Sequence, residues 1–98
     1  MDKLEAAIQK TIEKNIPSGY IFDTHTLIQL LIQKYSKIYV QYSKQFPDFH
    51  LYHGYVGKVI KTMEGKLVDD LGKSISKNIK DKFSECECWK RKIKRRKI

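Results

Sequence analysis

Gly65 divides this chain by the spacing of its apolar residues. Before it, apolar side chains return every three or four positions; after it, they alternate with polar ones. A period near 3.6 lines one face of a helix, and a period of two lines one face of a strand. A chain with the first pattern over its leading two thirds and the second at its end is constrained to an α+β fold, helices first and a hairpin last. That ordering is the strongest structural statement the residues make.

The helical part breaks into segments at its turn residues. Over residues 2–14, Leu4, Ala7, Ile8, Thr11 and Ile12 form one stripe, with Asp2 as the cap and Pro17 and Gly19 ending the segment. Residues 20–22, "YIF", are a short β-prone run, and Asp23 or Thr24 is placed to cap the second helix. From Thr24 to Phe46 there is neither Gly nor Pro. Leu27, Leu31, Tyr35, Ile38 and Tyr42 make a wide stripe, so the spacing predicts one long helix with a break near Ser36 if any. Pro47 stops it, and Asp48 caps a turn that carries Phe49, Leu51 and Tyr52 toward the core. In "YVGKVIKTMEGK", Val56, Val59, Ile60 and Met63 share the buried face of a third helix, with Gly65 at its C-terminal end.

Beyond Gly65, antiparallel strands are expected around 67–79 and 84–91, joined by the polar turn "KDKF". The alternation in "SECECW" sets Cys86 and Cys88 on one face, read as small core residues, and Glu85, Glu87 and Trp89 on the other.

Ninety-eight residues make one domain, here bounded as 1–89 with a basic tail at 90–98. An apolar fraction of 41% suffices for a core. No run is long enough to span a bilayer, and the charged N-terminus is not a signal peptide, so the expected setting is cytoplasmic, nucleoid-associated or nuclear. The formal charge of +9 is unevenly held: Lys90, Arg91, Lys92, Lys94, Arg95, Arg96 and Lys97 supply seven charges, which leaves +2 for the other 89 residues. Attraction for polyanions is therefore concentrated at one end.

The order helix, short strand, helix, helix, strand, turn, strand resembles a winged helix-turn-helix domain over nearly the whole chain. The resemblance rests on element order and length, and it implies a duplex-DNA partner, with the third helix in the major groove and the hairpin against the backbone or minor groove. On that helix His53, Tyr55, Lys58, Lys61 and Thr62 are the candidate contacts, and Gly54 and Gly57 would let a backbone come close. Lys77, Lys80 and Lys82 are the candidates on the hairpin, together with the seven basic residues of the tail. No Arg precedes Arg91, and the third helix has no Asn or Gln, so phosphate contact is better supported than base readout.

Other chemistries are less well served. His50 and His53 with Cys86 and Cys88 are zinc-ligand types, but a single residue between the cysteines strains the chelate, and no metal or other cofactor is expected. His25 beside Asp23 and Thr24 is explained as a first-turn surface residue. Glu85 and Glu87 disfavour a thiolate, so no catalytic residue is assigned and the chain is read as a non-enzyme. The alternative function is a protein-interaction module, a homodimer formed along the tyrosine-rich helix that carries Tyr35, Tyr39 and Tyr42. No small-molecule substrate and no membrane partner is expected.

Overall fold

A computed structural model describes residues 2–93. Four helices precede a hairpin: α1 (Lys3–Asn15), β1 (Ile21–Asp23), α2 (Thr24–Lys34), α3 (Ser36–Ser43), α4 (Phe49–Lys61), β2 (Val68–Lys77) and β3 (Phe83–Arg91). The class is α+β as expected, with four helices where the apolar spacing predicts three. The difference lies at Tyr35, whose φ −137°, ψ 47° ends α2 and starts α3 without any Gly or Pro. Tertiary contact supplies the reason for the bend. It brings Tyr39 over Tyr52 of α4, with ring centroids 4.9 Å apart, and the Tyr52 hydroxyl donates to the Tyr39 carbonyl at 2.6 Å.

The last helix also starts earlier than its apolar spacing indicates. Asp48 accepts from the Leu51 N–H at 2.9 Å, a standard N-cap, so "FHLYHG" is helical rather than a turn. Gly54 and Gly57 obscure this, because each costs a helix about 1 kcal/mol relative to Ala. Within this segment Tyr52 is buried, whereas Leu51 is exposed and does not reach the core. Gly65 is not the cap itself: α4 ends at Lys61 with Thr62 as its C-cap, and Gly65, at φ +84°, turns the chain into β2.

The three strands form one antiparallel sheet in the order β1-β3-β2. β2 carries one extra residue, Leu71, between the pairs Asp70↔Trp89 and Gly72↔Cys88. Gly72 takes φ +92° there, and Asp70 accepts its N–H at 2.8 Å. At the hairpin turn the Asn78 side chain accepts from Lys80 and Lys82, and Asp81 adopts the left-handed conformation.

Apolar faces of α1, α2 and α4 meet the sheet in one core, where Leu4, Ile8, Leu27, Leu31, Val56 and Ile60 are fully buried. Trp89 closes it, also fully buried, with its indole N–H donating to Thr24 Oγ1 at 3.2 Å. Burial along β3 is thus opposite to the expectation: Trp89 belongs to the core, and Cys86 and Cys88 are only half-buried. One large indole removes far more apolar area from water than two thiols, so it decides which residues face inward. Among the described residues, no helix is long and apolar enough to cross a membrane.

Candidate functional site

The hairpin does not stand away from the helices. It is tied to the start of α2 through His25, whose Nδ1 lies 2.7 Å from Ser76 Oγ and whose Nε2 lies 3.3 Å from Ser84 Oγ. Asp23, the cap of α2, takes part in the same network. Partial burial pushes its carboxyl up, but hydrogen bonds from Thr26 and Ser76 and the nearby His25 hold it below the ordinary value. Asn78, at the turn, is buried as well. His25 is therefore an interior tether rather than a surface residue, which no local signal indicates, because its partners lie more than fifty positions away.

Folding the hairpin over in this way leaves a cleft of about 520 Å³ between it and α4. The helix wall consists of Gly54, Gly57, Lys58 and Lys61, and the strand wall of Lys73, Glu85, Cys86 and Glu87. Two glycines one turn apart on α4 deprive that wall of side chains and make room. A Cβ on Gly54 would touch nothing within 4 Å, and one on Gly57 would meet Thr24 at 3.8 Å. Phe49, His50 and His53 line the end at the start of α4, and His25 and Thr24 line the inner side. All three histidines of the chain face this one cleft.

The charges in the cleft are partly matched. Lys73 bonds Glu87 at 3.0 Å, and Lys61 lies 3.9 Å from Asp70; both pairs are solvent-exposed on the lysine side and hold their ions loosely. Lys58 forms no ion pair among the described residues. Cys88 is raised above the usual thiol range, by burial first and then by Asp23, so it is a poor nucleophile. Among the described residues, no three His, Cys, Asp or Glu side chains come together as a set that could hold a metal ion.

The residues singled out in the sequence separate into groups. Lys58 and Lys61 do share the cleft. Lys77 and Lys80 sit by the hairpin turn, the first 3.2 Å from Asp81 and the second with its ammonium 4.4 Å above the Phe49 ring; Lys82 is exposed beside them. Thr62 is exposed but spends its hydroxyl on the Val59 carbonyl at 2.6 Å. Tyr55 turns to the other flank of α4, where it is half-buried against Phe46 and its hydroxyl points at Glu5.

His53 is not on the solvent side. It is 9% exposed, and its Nε2 lies 2.7 Å from the Tyr39 hydroxyl. Burial, with His25 and His50 adding to it, pushes its pKa down to about 4, so it is neutral near pH 7 and its Nε2 is engaged with Tyr39 rather than with a phosphate. Arg91 is also withdrawn. It is 4% exposed within β3, its Nη1 donates to the Lys92 carbonyl at 3.1 Å, and its Nε has no partner among the described residues.

Lys90 and Lys92, assigned to the tail from composition, belong with the sheet. Lys90 pairs in register with Ile21 and Asp69, and Lys92 bonds the Leu67 carbonyl and the Asp69 carboxylate. Lys94, Arg95, Arg96 and Lys97 lie outside the described residues. The tyrosines of the alternative reading are engaged within the chain: Tyr39 stacks on Tyr52, and Tyr35 and Tyr42 pack against the core. No family model, no curated protein and no solved structure matches the chain.

Proposed function

We propose that this protein binds nucleic acid, duplex DNA by preference, as a non-catalytic regulator or accessory domain of winged-helix-like design. The observation that carries this reading is the distribution of charge. From Lys58 to the C-terminus there are fourteen basic residues against six acidic ones, a surplus of eight out of the total of nine. The helices before that point are close to neutral. Lys58 and Lys61 of α4 line the cleft, Lys80 lies over Phe49 at its end, and the basic C-terminal sequence continues from the strand that forms one of its walls. The contacts on this reading are Lys58 and Lys61 of α4, then Lys77, Lys80 and Lys82. His53 and Arg91 drop out because both are buried. These are phosphate-neutralising groups, so affinity is carried by the backbone of the nucleic acid rather than by base edges.

Fluorescence anisotropy on a labelled random duplex tests this. Binding is expected at about 50 mM salt, with log K falling linearly in log salt by roughly 0.9 per phosphate contacted. Ending the chain at Ile93 removes four charges without cutting the sheet, and lowers both affinity and slope for every sequence alike. A full-length protein that ignores duplex DNA at about 50 mM salt overturns the reading.

A further inference from the structure

From the lining of the cleft between α4 and the β2–β3 hairpin we infer a binding site for a single nucleotide unit, either free or as an unpaired residue of a strand. This goes beyond the duplex-binding reading and does not depend on it, because a duplex would run across the outer surface while the cleft takes one residue.

Three kinds of group meet there, and a nucleotide has a counterpart for each. At the end formed by the start of α4, Phe49 stacks on His50 with centroids 4.2 Å apart, and meets His53 edge-on at 5.4 Å. Such a surface suits the face of a base, and stacking of this kind contributes about 1–3 kcal/mol per base. His53 is uncharged near neutral pH; the cation at this end is the Lys80 ammonium, 4.4 Å from the Phe49 centroid, which a base stacking on that face of the ring displaces. Along the helix wall Lys58 and Lys61 lie three residues apart on one side, and Lys73 faces the cleft from β2; together they suit a phosphate. Glu85 and Glu87 on the strand wall would repel a bare anion, but they are acceptors for sugar hydroxyls and exocyclic amino groups. A site for phosphate alone has no use for two carboxylates and an aromatic floor. At about 520 Å³ the cleft also lies within the range of small-molecule sites, about 300–1,000 Å³.

The test is an NMR titration of the full chain, following the backbone amides of Gly54, Gly57 and Cys86. The probes are nucleoside monophosphates, inorganic phosphate, the matching nucleosides, and an oligonucleotide duplex with one unpaired 5′ residue. Monophosphates should move those three amides with Kd between about 10 µM and 1 mM, a span consistent with the efficiency of ligands this size. Phosphate or nucleoside alone should bind at least about tenfold more weakly. Lys58→Gln, at an exposed position, should weaken the monophosphate about tenfold. Phe49→Leu should weaken it by a similar factor while leaving phosphate unchanged. If monophosphates fail but the unpaired residue of the oligonucleotide shifts the same amides, the nucleotide is strand-borne and the site stands. If neither does, or if phosphate binds as well as the monophosphates, the inference is overturned. Duplex binding without these shifts would leave the protein a duplex binder with no nucleotide site, and the shifts without duplex binding would leave it the reverse.

Discussion

The two flanks of α4 have opposite fates. On one, Tyr52 and Tyr55 lie with Phe46 and the α3 tyrosines in an aromatic layer, where ring meets ring at 4.9–5.5 Å and the Tyr52 hydroxyl is satisfied inside the chain. On the other, two glycines and two lysines face open space. The same thirteen residues therefore serve packing on one side and exposure on the other. A domain this small has little surface area to bury, so a flank left without side chains is a departure from what stability alone would select. His53 is the seam between them, with its Nε2 in the aromatic layer and its ring on the cleft.

The largest expected effect comes from breaking the packed flank. Tyr52→Ala removes a fully buried ring and two stacking partners, and should cost about 3–5 kcal/mol in chemical denaturation. Lys58→Ala, on the open flank of the same helix, should stay within about 0.5 kcal/mol. Comparable losses for the two would mean that the flanks are not divided into a packed and an open side.

The seam itself should respond to pH. His53 has its pKa lowered from 6.5 to about 4 in the folded state, so between those values the unfolded chain binds the proton and the folded chain does not. Its contribution is complete above pH 6.5 and is lost as pH falls toward 4. Melting temperature should therefore drop across that interval more steeply than in His53→Gln, which has no imidazole to titrate. Parallel curves for the two proteins would show that His53 is not held neutral. Tyr39→Phe sharpens the point. It removes one partner of the 2.7 Å hydrogen bond at His53 Nε2, and should cost about 1–2 kcal/mol in chemical denaturation for the buried ring nitrogen left unsatisfied.

How much was legible in the sequence differs between the two flanks for a physical reason. On the packed side Val56, Val59, Ile60 and Met63 could be read, since they repeat at helical spacing and burial follows that period. Tyr52, read as part of a turn, and Tyr55, read as solvent-facing, are drawn in only by Tyr39 and Phe46. The hairpin could be read as well, because β2 and β3 fall within one or two residues of the alternation that indicates them. The cleft could not. Its walls come from residues around 25, 54 and 85, and what brings them together is a tether from His25 to two serines, a pairing without any sequence period. The bend at Tyr35 lies one residue from the break allowed near Ser36, but the apolar stripe runs through it unbroken and only contact with α4 requires the turn. Arg91 misled for the opposite reason: it sits among six other basic residues, and composition cannot tell that the strand carrying it continues into the core.

The smallest predicted effect bears most directly on why the open flank is open. Gly54 has helical neighbours on both sides and nothing within 4 Å of where a Cβ would stand, so Gly54→Ala meets no steric obstacle. Alanine reduces the freedom of the unfolded chain and fits the helix better, a gain of about 0.5–1 kcal/mol. The added methyl would also project toward the space bounded by Lys58, Lys61 and the strand wall. Urea denaturation of the variant should show a higher midpoint with an unchanged slope, while nucleotide-induced shifts at Gly57 and Cys86 weaken. Higher stability with undiminished shifts would mean that the missing side chain is not what admits a ligand. A loss of stability would mean that α4 is not the regular helix on which the contrast between its flanks depends.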